Sequence, residues 1–306
     1  MIKKTIFCLL ALCLVFVQQN VAQQKIGELT VLDYNSMHGF TIDSSSRTKY
    51  VKWVKQLAPD VVMYQEMIDF PKAELEQFAK QYGHTFVALM SKETGYDVTH
   101  PIVITSKYPI ESLEMKNEGM WHGYICAKIK GVYCIATHLA PFTLKDRQKD
   151  IETVLAKVRS FPKNAMVLIG GDFNSLARFD SAQYGDNLLK GMLKLEGRLE
   201  PKSGTPIVKN KIIYRNNLNN GQIDYSVTDK MMEANFVDAY FFLHRTFKNS
   251  VPVKSQMKKN SILRRTDYVW VNKDLSGKLV AADIIHDGIT DVISDHYPIL
   301  VKFKLK

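Results

Sequence analysis

The run Val167–Asn174, VLIGGDFN, carries apolar residues and two adjacent glycines directly into Asp172 and Asn174. A strand of that kind is buried and ends on polar groups. It therefore delivers a carboxylate and an amide to the rim of a sheet, where α/β proteins place their chemistry. Near the C-terminus Ser294-Asp295-His296 sets a carboxylate beside an imidazole. That pairing puts a cation ligand next to a proton carrier.

Around these two segments, strand-like and helix-like stretches alternate. Glu28–Tyr34, Asp60–Tyr64, Thr85–Met90, Pro101–Thr105, Val167–Ile169, Tyr268–Val271 and Ile299–Phe303 read as strands. Helices are expected over Arg47–Leu57, with Tyr50, Val54 and Leu57 on one face, and over Pro71–Tyr82, with proline in the first turn. A third is expected over Leu144–Arg159, with Ile151, Leu155 and Val158 inward. YICAKIK and VYCIATH form a hairpin that turns at Lys130-Gly131. A two-residue turn there pairs Cys126 with Ile135 and Cys134 with Ala127, so the two thiols face opposite sides and a disulfide between them is disfavoured. The alternation predicts an α/β fold with helices outside sheet. The antiparallel hairpin argues against a purely parallel, doubly wound sheet. No repeat, low-complexity tract or linker divides the chain, so one domain is expected.

The N-terminus begins Met1-Ile2-Lys3-Lys4, continues apolar from Ile6 to Val17 and reaches small residues at Val21 and Ala22. That is the pattern of a secretory signal peptide, expected over residues 1–23, ahead of a domain over 24–306. The apolar core falls short of the roughly 20 residues a membrane span needs, so no transmembrane anchor is expected. The destination is periplasmic or extracellular. The formal charge of +10 falls to +8 once Lys3 and Lys4 leave with the leader. Such a surplus favours polyanionic partners, nucleic acid or an anionic lipid surface.

Six segments put polar residues at strand ends: Tyr34-Asn35, Tyr64-Gln65-Glu66, Ala136-Thr137-His138, Gly171-Asp172-Phe173-Asn174, Arg265-Thr266-Asp267-Tyr268 and Ser294-Asp295-His296. They supply hard oxygen donors and imidazoles, with no zinc-type cysteines and no His-x-x-x-His spacing. That inventory suits Mg²⁺, or else Mn²⁺ or Ca²⁺, better than zinc. Acids for a cation and imidazoles for protons are what metal-assisted phosphoester hydrolysis requires.

In this order the six segments resemble the endonuclease/exonuclease/phosphatase superfamily, the DNase I-like metal-dependent phosphoesterases. GDFN with SDHYPI is the specific pair, and YQE and THL fall at the expected places between them. The resemblance covers essentially the whole chain after the leader. It implies a four-layer sandwich of two mixed β-sheets flanked by helices. It also implies that Glu66 is the principal metal ligand, with Asn35 beside the metal and the phosphate, and Asp295 a further metal-side carboxylate. Asp172 is then the acid that orients or deprotonates the attacking water, and Asn174 a donor to the phosphoryl oxygen. His296 resembles the general acid/base held by Asp267, and His138 the second imidazole; which histidine does which stays open. Asp224, in Ile223-Asp224-Tyr225, competes for the role of Asp267, but it precedes NFVDAY, whereas the family's Asp-Tyr strand follows that segment.

Departures also matter. His38-Gly39 is similar to a His-Gly of bacterial members, and His38 reads as a turn residue. Thr99-His100-Pro101 stands where relatives often carry a Gly-Asn or Gly-Val pair. No carboxylate supporting His138 is identifiable, Asp97 being the nearest candidate. The stretch 245–266 carries Arg245, Lys248, Lys254, Lys258, Lys259, Arg264 and Arg265 with no acid among them. It is expected to overhang the site, with Arg264 and Arg265 on substrate phosphate. Trp121-His122 reads as packed in the core rather than as an exposed aromatic platform.

The expected activity is hydrolysis of a phosphodiester, nucleic acid slightly ahead of a sphingomyelin or phospholipid headgroup, with a phosphomonoester as the other possibility. A monomer without a stable protein partner is expected. A polyanion-binding protein that has lost catalysis is the rival from another class, and intact Glu66, Asp172 and His296 argue against it.

Overall fold

The structure is a computed structural model that describes residues 27–196 and 217–306, with the backbone of 208–209 and 212–213. The leader expected over residues 1–23 lies outside the described residues. Strands β1 (Glu28–Asn35), β2 (Val61–Gln65), β3 (Phe86–Met90) and β4 (Ile102–Ser106) are followed by β5 (Ser112–Lys116), β6 (Gly123–Ile129), β7 (Val132–His138) and β8 (Met166–Asp172). Later come β9 (Phe236–Asp238), β10 (Asp267–Asn272), β11 (Leu279–Ile284) and β12 (Ile299–Lys304). They build two mixed six-stranded sheets, ordered β11-β12-β1-β2-β4-β3 and β9-β10-β8-β7-β6-β5. Each sheet contains one parallel pair, β1 with β2 and β7 with β8.

Strand alternation explains the layering. Val31, Met63, Ile104, Cys134, Leu168 and Val269 point between the sheets and form the shared core. Their neighbours Leu32, Val62 and Tyr64 point outward onto Tyr50 and Val54 of helix Ser46–Leu57 and Leu75 and Phe78 of helix Lys72–Lys80. On the far side Ile135, Val167 and Ile169 meet Ile151, Val154 and Leu155 of helix Leu144–Arg159 and Val227 and Met231 of helix Ser226–Glu233. The architecture is the four-layer sandwich expected above. The hairpin has the anticipated register, Cys126 opposite Ile135 and Ala127 opposite Cys134, and both thiols are free and buried. Among the described residues no helix is long and apolar enough to cross a membrane.

Three sheet-edge strands, β5, β9 and β11, have no counterpart in the sequence reading. The burial of β5 is almost wholly exposed, and β11 is interrupted by a register shift between Leu279 and Ala281. Neither shows the apolar period that marks a half-buried strand, because an edge strand is held by backbone pairing more than by its side chains.

The expectation that Arg265 contacts substrate is corrected here. Its side chain is fully buried: Nε donates to Asp180 Oδ2 at 2.8 Å and Nη1 to Asp238 Oδ1 at 2.8 Å. The guanidinium lies under the basic stretch and ties it to the 3₁₀ turn Arg178–Gln183 and to the end of β9. Sequence showed only a run of basic residues; the two carboxylates that claim this one are 85 and 27 positions away.

A second buried polar group sits between helix and sheet. His84 is inaccessible, with Nδ1 at 2.8 Å from Thr105 Oγ1 and Nε2 at 2.9 Å from the Pro59 carbonyl. Burial holds its pKa down to about 4 from 6.5. The unfolded chain therefore takes up a proton on this ring at higher pH than the native protein does, so stability is full above pH 6.5 and falls as pH drops from 6.5 towards 4.

Two measurements test these readings. In His84→Gln, which retains hydrogen-bonding groups, the fall in unfolding free energy between pH 6.5 and 4 should be shallower by up to about 1.4 kcal/mol per pH unit, one proton's worth. An unchanged slope would show that the ring is not held neutral. Arg265→Met leaves two buried carboxylates without a cation and should lose about 3–5 kcal/mol in denaturant unfolding. Wild-type stability with weakened substrate binding would instead restore Arg265 to the site.

Candidate active site

Close packing of the two sheets brings the polar strand ends together. Gly171 adopts φ 149°, and a Cβ there would lie 1.8 Å from the Thr137 carbonyl oxygen. A Cβ on Gly170 would lie 2.3 Å from Met63 Cε and 3.1 Å from Asp33 Oδ1, across the inter-sheet space. The Gly-Gly of VLIGGDFN is thus needed for contact with β7 on one side and with the other sheet on the other. In register, His138 at the end of β7 stands beside Asp172 at the end of β8, and Asp267 at the start of β10 stands on the other side of Asp172. From the first sheet come Asn35, which ends β1, and Glu66, which follows β2 in a left-handed conformation, φ 62°.

Asp172 is the hub. It is 3% exposed, and its Oδ2 accepts from Asn35 Nδ2 at 3.2 Å and lies 3.6 Å from His138 Nε2 and 3.8 Å from His296 Nε2. Its Oδ1 accepts from the Asn174 backbone N–H at 2.8 Å. Asn35 also donates to Glu66 Oε1 at 3.2 Å, so one amide links the two acids. His296 Nδ1 is 2.8 Å from Asp267 Oδ2, while the Asp267 backbone N–H donates to Ser250 Oγ at 3.2 Å. Ser294 Oγ donates to the Asn35 carbonyl at 2.7 Å and so fastens the His296 loop to the end of β1. Asp267 is therefore the imidazole's carboxylate; Asp224 instead accepts from Ser226 and Asn219 elsewhere.

Electrostatics separate the titrating groups. Burial and the adjacent Asp267 push Asp172 up to about 7. For His296 burial works against the charge, but Asp267 and Asp295 outweigh it and hold the imidazolium well above the usual histidine range. His138 is driven well below that range by burial and by the neighbouring imidazoles of His122, His100 and His296. At neutral pH the site therefore pairs a cationic His296 with a neutral His138 across one carboxylate.

Other expected residues are placed differently. Asn174 is in the left-handed region, φ 48°, and its amide donates to the Leu139 carbonyl at 3.0 Å beside the hub. Asp295 lies 3.8 Å from His296 Nε2. Among the described residues, three-donor groups with ligand atoms within 4.8 Å of one another are His38-Glu66-His100 and Asp172-Asp267-His296, and Asp295 belongs to neither. Its carboxylate borders the imidazole. Arg264 is exposed and close enough to Asp172 for the charges to interact, unlike Arg265 beside it in sequence. Within the basic stretch Lys248 is paired with Asp283 at 2.7 Å, whereas Lys258 and Lys259 are exposed.

Among the described residues no carboxylate partners His138 Nδ1. Asp97 is exposed and lies 3.5 Å from Lys92 Nζ. The His138 ring instead stacks on His122, centroids 4.3 Å apart and planes at 26°, and its Nδ1 has no hydrogen-bond partner. His122 is 2% exposed, as expected, and Trp121 is 38% exposed, against expectation, because the bend before β6 turns the two side chains apart. His38, read as a turn residue, does occupy a turn but also brings Nε2 to 3.6 Å from Glu66 Oε2. His100 and His122 were not assigned to the site by sequence. Their signal was position: each directly precedes or nearly precedes a strand, β4 and β6, whose neighbour in the sheet carries an expected site residue.

Comparisons with known proteins bear on the family and the fold. The model of the endonuclease/exonuclease/phosphatase family matches residues 34–296. No curated protein matches the chain in sequence. Among solved structures, an AP endonuclease from Archaeoglobus fulgidus is similar at 17% identity and a TM-score of 0.61, over 90% of this chain and 99% of its own. The 3'-5' exonuclease NExo from Neisseria meningitidis is similar at 15% identity and a TM-score of 0.62, over 90% and 100%. A structure of the 3' phosphatase NExo from Neisseria bound to product DNA hairpin gives 14% and 0.62, over 90% and 99%. With a family match running from the end of β1 to His296, the chain belongs to the endonuclease/exonuclease/phosphatase family.

Proposed function

We propose that the chain is an exported, divalent-metal-dependent phosphodiesterase acting on nucleic acid. The observation that carries the reading is the position of Asp172 Oδ2, which faces Asn35, His138 and His296 at once. A carboxylate raised to about 7 is matched to accepting a proton from water near neutral pH. His296, cationic and steadied by Asp267, is taken as the donor to the departing oxygen; its contact with Asp267 supports this choice over His138. His138 remains neutral and stabilises phosphoryl charge through Nε2. Asn174 and Asn35 add amide donors on either side of the hub.

The donor set at Glu66 fits a divalent cation, since its carboxylate is partly open at 18% exposure while its Oε1 is held by Asn35. When bound there, such an ion would supply charge neutralisation at the phosphate. Asn35, its amide nitrogen facing the acids and its oxygen accepting from the Met37 N–H, serves this site mainly by holding Glu66 and Asp172 in place. Asp295 acts through the charge it places beside His296.

Nucleic acid is favoured over a phospholipid headgroup by the exposed Arg264, whose charge acts on Asp172, by the exposed Lys258 and Lys259 of the same stretch, and by the net charge of +10, or +8 without the leader. The similar NExo structure holds a DNA hairpin, which points the same way. Export rests on the leader pattern of residues 1–23, and a monomeric enzyme of residues 24–306 is the expected form.

Glu66→Ala and His296→Ala should each lower turnover by at least about 10²–10⁴-fold while unfolding stays cooperative. EDTA should abolish activity and a divalent ion restore it; wild-type turnover in either variant, or indifference to chelation, would refute the mechanism. A panel of plasmid DNA, RNA, sphingomyelin and a small chromogenic phosphodiester should show fastest cleavage of nucleic acid, declining steeply with salt. Preference for sphingomyelin would overturn the substrate class alone.

A further inference from the structure

Hard-cation chemistry does not account for what surrounds Glu66. The residues that converge on it are His38 and His100, each offering a ring nitrogen within 4.8 Å of the carboxylate oxygen and of the other. Both come from segments outside the strand ends. His38 sits in the tight turn Met37–Phe40 and His100 in the loop before β4.

The turn bearing His38 is wound left-handed throughout: Met37, His38 and Phe40 have φ of 42°, 57° and 59°, with Gly39 at 70°. Three residues with side chains in that region cost roughly 1–2 kcal/mol each. Local strain of this kind persists only where surrounding contacts impose it, and it concentrates at functional sites. Here the contacts are visible. Ser36 Oγ accepts from the Gly39 N–H at 3.1 Å, the Ser36 carbonyl accepts from the Phe40 N–H at 2.8 Å, and Arg47 Nε donates to the Gly39 carbonyl at 2.9 Å. Phe40 stacks on Tyr50 with centroids 4.1 Å apart. A Cβ on Gly39 would come within 2.9 Å of the Ile68 carbonyl and of the Phe70 ring, so the turn is pressed against the loop that carries Glu66. The product of this strain is a side chain, 56% exposed, whose Nε2 reaches 3.6 Å from Glu66 Oε2. Glu66 is itself left-handed at φ 62°. On the other side the Thr99 hydroxyl meets His100 Nδ1 at 2.9 Å and orients that ring, as an outer-sphere partner orients a ligating imidazole.

Two imidazoles and one carboxylate on three separate segments are a donor set for a first-row transition ion. Mg²⁺ and Ca²⁺ take oxygen, whereas imidazole suits zinc, iron, cobalt and their neighbours, and affinity rises across the row. We propose that His38, Glu66 and His100 form a transition-metal centre, so that the cation at Glu66 is a Zn²⁺-, Fe²⁺- or Co²⁺-class ion rather than Mg²⁺. With three protein ligands such an ion would keep room for water or a phosphate oxygen. This rests on Glu66 being the cation ligand of the proposed phosphodiesterase, but its test does not require turnover.

The probe is Co²⁺, titrated into the chelator-stripped full chain and followed by visible absorption. One equivalent should bind, with d–d bands of a nitrogen-containing site, and millimolar Mg²⁺ should not displace it. His38→Asn, whose replacement tolerates a left-handed backbone, His100→Ala and Glu66→Gln should each weaken Co²⁺ by more than the roughly 10–100-fold that loss of an outer-sphere partner costs. Asp97→Asn, at an exposed side chain, should bind as the wild type does. Should a histidine variant misfold, X-ray absorption of the Zn²⁺-loaded wild type decides by the number of imidazoles at the metal, two being expected. Wild-type Co²⁺ affinity in folded His38→Asn and His100→Ala, displacement by equimolar Mg²⁺, or a shell of oxygen alone would overturn the site. Phosphodiester cleavage with Mg²⁺ that ignores both histidine substitutions would remove this centre and leave the proposed function standing. Co²⁺ bound as described by a chain that cleaves no phosphodiester would do the reverse.

Discussion

Everything at the site depends on how closely β8 is allowed to approach its surroundings. Gly170 and Gly171 give the strand no side chains over two positions, and backbone or side-chain atoms of β7 and of the opposite sheet occupy the space a Cβ would need. That approach puts Asp172 against residues of both sheets. Asn35 and His138, one from each sheet, then meet a single carboxylate oxygen. A Cβ at Gly171 would force β8 away from the Thr137 carbonyl of β7, and one at Gly170 would press on the Met63 and Asp33 side chains of the opposite sheet.

The same closeness concentrates negative charge. Asp33, Asp172 and Asp267 are each nearly inaccessible, and burial together with their mutual repulsion raises Asp33 well above the ordinary carboxylate range and Asp172 to about 7. Gln65 donates to Asp33, Asn35 to Asp172, and His296 pairs with Asp267. The site is thus a set of acids held by one imidazolium and two amides, a state that favours additional positive charge from outside. Under the proposed function that charge is the cation at Glu66 together with Arg264.

Much of this was legible along the chain. VYCIATH and VLIGGDFN ended where an α/β sheet was expected to carry chemistry, and the structure places His138 directly beside Asp172. The hairpin register and helix Leu144–Arg159 followed from turn length and apolar period, both local properties. The pairing of Asp267 with His296 was read from the family's segment order. What was not legible required distant residues. Arg265 and Arg264 are neighbours in one basic run, yet one is sealed by Asp180 and Asp238 while the other is exposed. His122 and His100 carry no motif, and they join the pocket only because the segments leading into β6 and β4 pass it.

Composition, period and motif order therefore determined the class of fold, the strand ends that carry polar groups and the family, because each is written in residues a few positions apart. Tertiary structure alone decided which charges are neutralised in the interior, that Glu66 has imidazoles as neighbours, and that Asp172 receives contacts from both sheets. The physical reason is that burial and Coulomb interaction depend on distance through space. Chain separations of 31 residues for Asn35 and Glu66 and 137 for Asn35 and Asp172 hide those distances until the sheets pack.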